Sequence, residues 1–367
     1  MIRVLQLGMT NNLGGIETFL MNYYKSMDKN EIQFDFINIY STPLCFQDEI
    51  IKMGGKIYNV PSYYKHPIKY IESVKKIINN NSYQIIHCNM NSAAMIFPLI
   101  ASKLSKAKII ISHSHNASSD KGIIKAFMHF INKHFIPLLA TNYFACSDKA
   151  GKWFYSNKIL KSDKYKVIYN AIDIKRFQFN ENIRNEKRKD LNISRDTLVI
   201  GHVGRFNKQK NHKFLIDVFK EVYDANHNSI LLLIGKGPLE NEIKKQTTEL
   251  GLTDNVKFLG QRNDVNDLYN AMDIFALPSL YEGLPLVGVE AQVNGVKCLF
   301  ADTITKELSI SQECEYLKLD KNKWKKKIID YKNEKRIKNT TNKKFDINNN
   351  SIMLSKIYKE ELENIYG

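Results

Sequence analysis

Short apolar runs rich in Val, Ile and Phe alternate with helical patterns along most of the chain. Such alternation predicts βαβ units around parallel sheets. A first set of strands is expected at 2–7, 34–39, 85–88, 109–112 and 143–145, and a second at 198–203, 230–234, 256–258, 274–277 and 297–300. The two sets imply two sheets. Between them, 167–173 leads into a charged stretch, 175–195, that reads as structureless and places a hinge near 170–180. The tail 321–344, rich in Lys and Asn, reads as a solvated helix plus loop, while Ile352, Leu354, Ile357, Leu362 and Ile365 predict a closing amphipathic helix. The expected division is therefore 1–172, 173–345 and a helix at 346–367 packing back on the first domain. Two doubly wound domains facing each other would place the carboxyl ends of both strand sets at a central cleft, where α/β sheets bind ligands. No internal repeat is visible.

Length and composition agree with this picture. The 367 residues exceed one core at ~100–200 residues per domain. With 43% hydrophobic and 25% charged residues, the chain is not disordered as a whole. Its opening apolar run is broken at Arg3 and Gln6, unlike a signal peptide, and nowhere do ~18 apolar residues run together. The expectation is a cytoplasmic protein that neither spans the membrane nor is secreted by that route. Cys45, Cys88, Cys146, Cys298 and Cys314 are widely spread without a C-x-x-C pair, which suits a reduced cytosol. The net charge is +16, and the first 173 residues carry 21 basic against 11 acidic side chains. Because 46 of the 54 basic residues are Lys, in a chain also loaded with Asn and Ile, codon bias accounts for much of this charge. What remains points to a phosphate ligand or an anionic membrane surface before nucleic acid, which calls for clustered Arg and aromatics.

Three segments carry chemistry. After the first strand, Gly14-Gly15 precede a helix beginning near Thr18, and paired glycines let backbone N–H groups approach an anion at a helix N-terminus. Neither G-x-G-x-x-G nor G-x-x-x-x-G-K-[ST] is present, which argues against a dinucleotide site and a P-loop; a tight turn without ligand explains the pair equally well. In the second domain, Arg205 follows a strand and Lys210 comes five residues later, so that a fork and a point charge can converge on one phosphate. A solvated basic loop is the commoner fate of such residues, yet only eight Arg occur in the chain and one stands at a strand's carboxyl end. The third segment runs from Pro278 to Ala291. Pro285 can occupy the first turn of a helix, leaving the N–H groups around Gly283, Leu284, Leu286 and Val287 free for a diphosphate. Glu282 precedes that helix and Glu290 lies ~7 Å along it from Pro285, a separation suited to two parts of one extended ligand. Taken singly, Glu282 also reads as a charge partner of its own helix and Glu290 as part of a solvated face.

In order and spacing these segments resemble the family 4 retaining glycosyltransferases of the GT-B fold. The resemblance rests on Gly14-Gly15-Ile16-Glu17, Val203-Gly204-Arg205-Phe206 with Lys210-Asn211, Gly235-Lys236-Gly237-Pro238 and the E-x7-E element Glu282 to Glu290. Phe144-Ala145-Cys146-Ser147, Val167 to Asp173 and Phe258-Leu259-Gly260-Gln261-Arg262 add to it. It runs from residue 1 to about 310 and departs at Asn294-Gly295-Val296-Lys297-Cys298, where the family continues Gly-x-Pro. The resemblance implies an acceptor domain followed by a donor domain. Arg205 and Lys210 would hold the donor diphosphate, Glu290 the ribose hydroxyls, and Glu282 with the backbone of Gly283, Leu284, Pro285 and Leu286 the sugar. Gly260 and Arg262 join the expected donor site, and Gly14 and Gly15 close over the phosphates or the acceptor. The family's histidine facing the transferred sugar falls in Ile111-Ser112-His113-Ser114-His115-Asn116, with His115 preferred to His113.

The expected activity is transfer of a sugar from a nucleotide donor, UDP-linked, to a lipid-linked or growing surface-polysaccharide acceptor of the capsular or exopolysaccharide type. No cofactor is expected, and the absence of Asp-x-Asp fits metal-independent chemistry. The alternatives are a nucleotide-sugar epimerase of the same fold and a non-catalytic basic nucleotide-binding protein. One further stretch, 121–139, sets Lys125, His129 and Lys133 along a helical stripe beside Phe127, Phe130, Ile131 and Phe135. An interfacial helix on anionic lipid has this pattern, and so does a helix packed in the core.

Overall fold

The computed structural model describes residues 1–116, 122–312, 314–331, 336 and 343–367. They form two units, 1–172 with 343–367, and 173–342. The first unit contains β1 (Ile2–Leu7), β2 (Ile32–Asn38), β3 (Ile57–Asn59), β4 (Ile85–Met90), β5 (Ile109–Ser114), β6 (Asn142–Ala145) and β7 (Tyr165–Val167). They make a seven-stranded parallel sheet in the order β3-β2-β1-β4-β5-β6-β7. Both faces are covered, so alternate side chains enter different cores. Val4, Phe34, Phe36, Ile85, Ile109 and Ile111 pack on one side with Phe19, Tyr23 and Leu354. Leu5, Ile37, Ile86 and Ile110 pack on the other with Val74, Ile78, Leu99 and Phe154. That two-sided burial is why the strands read as continuous apolar runs.

The second unit contains β8 (Leu198–Val203), β9 (Ser229–Ile234), β10 (Val256–Gly260), β11 (Ile274–Leu277), β12 (Lys297–Ala301) and β13 (Cys314–Leu317). Its parallel sheet has the order β10-β9-β8-β11-β12-β13, with Ile200 paired to Leu231 on one side and Ile274 on the other. The strands absent from the sequence reading, β3, β7 and β13, are short edge strands of three or four residues. Too few positions exist there for a periodic signal.

Two expectations need correction. The stretch 175–195 is not structureless: it holds helices Ile174–Phe177 and Glu181–Asp190. Asn180 caps the second by accepting from Asn182 N and Ile183 N. One turn apart on that helix, Arg184 and Arg188 each donate to the Asp273 carboxylate, at 2.6 and 2.7 Å. A long-range acceptor thus organises a segment whose own composition is polar. The tail is not wholly solvated either, since helix Lys321–Ile329 buries Trp324 and Ile328. In the closing helix, Ile347–Tyr366, Ile347, Leu354, Ile357 and Tyr358 are the buried apolar positions, whereas Ile352 and Ile365 are exposed. No helix among the described residues is long and apolar enough to cross a membrane.

Candidate functional site

In the second unit, strand order reverses between β8 and β11. Loops leaving the carboxyl ends of strands at such a reversal flank the usual ligand crevice of an open α/β sheet. The loop after β8 is built around Gly204. A Cβ there would fall 2.9 Å from His202 Nε2 and 3.0 Å from Lys210 Cδ, so only glycine lets the Lys210 stem lie across the strand end. Gly235, at φ +136, brings the loop after β9 so close that a Cβ would meet the Gly204 carbonyl at 2.2 Å. Gly235 N in turn donates to the carbonyl of Gly260 at 2.8 Å, linking the end of β10 to the same backbone cluster.

Across the reversal, Lys210 Nζ donates to Glu282 Oε1 at 2.7 Å, and both side chains are largely buried. Gln209 Nε2 donates to Glu282 Oε2 at 3.2 Å and to the Tyr281 carbonyl at 3.0 Å. Leu280 N donates to Gln209 O at 2.8 Å, and Asn211 Nδ2 to Pro278 O at 3.2 Å. The loops after β8 and β11 are therefore stitched together, with the cation and carboxylate at their junction. Arg205 is exposed, and its guanidinium makes no hydrogen bond or ion pair among the described residues. Lys210 thus faces Glu282 while Arg205 keeps its fork available. Beneath the loop, His212 stacks on Phe206 at 4.1 Å and meets the edge of His202 at 4.7 Å. Burial pushes His212 down to about 4 and His202 well below its usual range, so neither ring adds charge at neutral pH.

The helix after β11 is Leu286–Asn294, and Pro285 stands at its N-cap, one position before the expected first turn. The N–H groups at the start of such a helix lack intrahelical partners. A Cβ on Gly283 would meet nothing within 4 Å, so this part of the loop borders open space, while Leu284 and Pro285 are buried beneath it. Glu290 is half-buried on the same helix. The Tyr269 hydroxyl donates to its Oε2 at 2.9 Å and to Val287 O at 3.1 Å. Burial raises the Glu290 carboxyl to about 7, against the opposing pull of Tyr269, Arg176 and Lys210. Each carboxylate thus has a side-chain partner from outside its own helix. Tyr269 and Gln209 escaped the sequence reading: each acts on a carboxylate distant in the chain, with no local motif to mark it.

Arg262 is not drawn to this junction. Its Nε and Nη2 donate to the two Asp264 oxygens at 2.8 and 2.7 Å, and that fork lowers the Asp264 carboxyl to about 2.

In the first unit, Gly14 is the extended N-cap and Gly15 the first residue of helix Gly15–Ser26. A Cβ on Gly14 would lie 2.8 Å from Glu17 Oε2, whereas one on Gly15 would meet nothing within 4 Å. Buried Glu17 accepts from Thr10 N at 2.8 Å and so pins the loop ahead of the helix. His115 follows β5. Asn89 spends its amide N–H groups on Gln6 Oε1 and Leu7 O, at 3.0 and 3.2 Å, leaving Oδ1 to accept from His115 Nε2 at 2.9 Å. The proton is thus on Nε2, and Nδ1 is the acceptor, unpartnered among the described residues. Burial pushes His115 down to about 3, so it is a neutral hydrogen-bonding group. His113 is fully buried and bonded instead to His87, which also meets the Tyr358 hydroxyl at 2.7 Å.

Two doubly wound parallel units, one carrying a cation–carboxylate junction and a helix N-terminus at its strand reversal, define the GT-B architecture. Residues 13–176 match the model of Glycosyltransferase Family 4, and 183–310 that of Glycosyl transferases group 1. EpsF of Bacillus subtilis (strain 168), which carries a glycosyltransferase name, is 33% identical over 310 residues, 83% of this chain and 80% of that protein. The UDP-Gal:alpha-D-GlcNAc-diphosphoundecaprenol alpha-1,3-galactosyltransferase of Escherichia coli is 24% identical over 301 residues, 79% of this chain and 76% of that one. The crystal structure of Anabaena Alr3699/HepE in complex with UDP and glucose shares the fold over 100% of both chains, at a TM-score of 0.75 and 19% identity. The chain belongs to the family 4 glycosyltransferases.

Proposed function

We propose that this glycosyltransferase moves a sugar, with retention of configuration, from a UDP-linked donor to a lipid-linked or growing surface-polysaccharide acceptor at the cytoplasmic face of a membrane. The observation that carries the reading is the Lys210–Glu282 pair at the β8/β11 reversal, beside the N-terminus of helix Leu286–Asn294. The diphosphate lies against Arg205, Lys210 and the free N–H groups from Gly283 to Leu286. Charge grows on it as the sugar departs, so these groups bind the transition state more tightly than the ground state. Glu290 takes the ribose hydroxyls, and Glu282 orients the sugar. His115 offers its Nδ1 lone pair to a sugar hydroxyl, and Gly14 and Gly15 give the backbone close access to phosphate or acceptor. The similarity to the Escherichia coli galactosyltransferase, which uses UDP-Gal and a diphosphoundecaprenol acceptor, and to the Anabaena protein seen with UDP supports UDP as the nucleotide and a diphospholipid acceptor.

The test is product analysis with a panel of UDP-sugars, with and without a polyprenyl-diphosphate sugar. Acceptor-dependent transfer with a retained anomeric centre is expected. An altered nucleotide sugar formed without acceptor would make the protein an epimerase, and failure of every UDP-sugar to stabilise the fold would remove the donor assignment.

A further inference from the structure

Helix Ile123–Asn132 packs inside out. Eight of its ten residues are exposed, Asn132 is half-buried, and the one buried side chain is His129. That imidazole stacks on Trp153 at 4.0 Å and its Nδ1 accepts from Ala93 N at 3.0 Å. From the same side, Asn132 Nδ2 donates to Ala93 O at 3.0 Å. The polar stripe is thus the attachment side. At about 100° per residue, Phe127 and Ile131 lie roughly 160–200° from His129, pointing away from the unit. Ile123 is 90% exposed, Phe127 63%, Phe130 60% and, beyond the helix, Leu138 67%. The core-packed alternative for 121–139 is therefore corrected for Ile123–Asn132, none of whose apolar side chains is buried, while Ile136 beyond it does pack in the core. Lys121 lies outside the described residues.

We propose that 122–139 is an in-plane docking surface for a bilayer bearing anionic headgroups. Apolar exposure of this kind, contiguous along one helix, marks an interaction surface, and charge selects its occupant. No acidic residue occurs between Asp120 and Asp148, while Lys125, Lys133 and His134 lie within the segment. Lys125 and Lys133 stand about 40° to either side of His129, beside the attachment side of the helix. With Phe127 and Ile131 in the acyl boundary, the two lysines lie above it on the protein side, from where their long side chains can extend down toward lipid phosphates while their stems stay apolar. Lys133 Nζ is already extended along the Phe130 ring at 5.1 Å. This deepens the acceptor half of the proposed function, yet its test involves neither donor nor transfer, so the two stand or fall separately.

The experiment is co-sedimentation of the full chain with phosphatidylcholine vesicles, with and without phosphatidylglycerol, alongside sedimentation velocity without lipid. Binding is expected on the anionic vesicles and should fall with salt. F127S/I131S should weaken it by roughly tenfold or more at unchanged Tm, because both side chains are solvent-exposed. K125E/K133E should abolish the preference for phosphatidylglycerol. Equal recovery on neutral and anionic vesicles, or F127S/I131S binding as well as the wild type, would overturn the proposal. So would a lipid-independent dimer that these substitutions dissociate, which would make the face a contact between copies.

Discussion

Lys210 Nζ lies 2.7 Å from Glu282 Oε1, and the two residues arrive from loops on opposite sides of the strand reversal. In the unliganded protein each holds the other's charge. On the proposed reading, a bound diphosphate would compete with Glu282 for Lys210, so the carboxylate would both position the ammonium and restrain it. Lys210→Ala should lower turnover by roughly 100-fold or more and also destabilise the fold by about 1–3 kcal/mol, because Glu282 is left largely buried without its cation. K210M/E282Q should regain the stability and not the turnover, as read by denaturant melts beside initial rates. Glu282→Gln alone should bind UDP at least as well as the wild type while impairing transfer. No glycosyl adduct on Glu282 is expected in mass spectra during turnover, since both its oxygens are already held by Lys210 and Gln209 and its proposed role is to orient the sugar.

If Glu290 holds the donor as proposed, donor binding should be pH-dependent. The Glu290 carboxyl is raised to about 7, and hydroxyl donors of a ribose favour the ionised form. Affinity for a UDP-sugar should therefore weaken by about tenfold per pH unit below about 7. Glu290→Gln should flatten that profile. The sign for the unliganded fold is opposite. A raised carboxyl contributes stability that is present below its unfolded value and lost as pH rises through about 7. Isothermal titration and thermal melts over the same pH range separate the two effects.

Arg205 offers an exposed fork with no competing carboxylate, unlike Arg262, which Asp264 occupies. Arg205→Ala should cost roughly 100-fold in turnover with little change in Tm. Arg262→Ala should cost much less. With cationic side chains neutralising the leaving diphosphate, EDTA is expected to leave the rate unchanged; restoration of activity by a divalent ion after chelation would refute the metal-independent mechanism.

Buried histidines make the first unit acid-labile. Burial holds His87 down at about 3 and His113 well below the ordinary value near 6.5. Groups depressed in the folded state contribute stability above their unfolded pKa, and it is lost as pH falls from about 6.5 toward the folded value. Tm should accordingly drop progressively below about pH 6.5, and His87→Asn should shallow that drop. A flat Tm between pH 6.5 and 4 would contradict it.

Much of the scaffold was legible because strands buried on both faces leave unbroken apolar runs, as at Ile109 to Ile111 and Leu231 to Leu233. Lys210 and Glu282 could be singled out in the sequence because each lies in a loop that follows a strand. Their mutual contact could not be, since 72 residues separate them in the chain. Helix Glu181–Asp190 was missed for a related reason: its arginines answer to Asp273, far along the sequence. In helix Ile123–Asn132 the periodicity revealed an apolar face but not its direction, which only the docking of His129 decides.

The return of 343–367 to the first unit has a consequence for biogenesis. Ile172 N donates to Phe345 O, and Ile347 N to Ile172 O, each at 2.9 Å, so the points where the chain leaves and rejoins this unit are adjacent. Residues 173–342 are topologically an insertion. During synthesis they emerge before Leu354, Ile357 and Tyr358, which fill the first unit's own core. The amino-terminal unit therefore cannot complete its core until a helix some 170 residues downstream of its other elements has been made, and until then it holds an open hydrophobic seat.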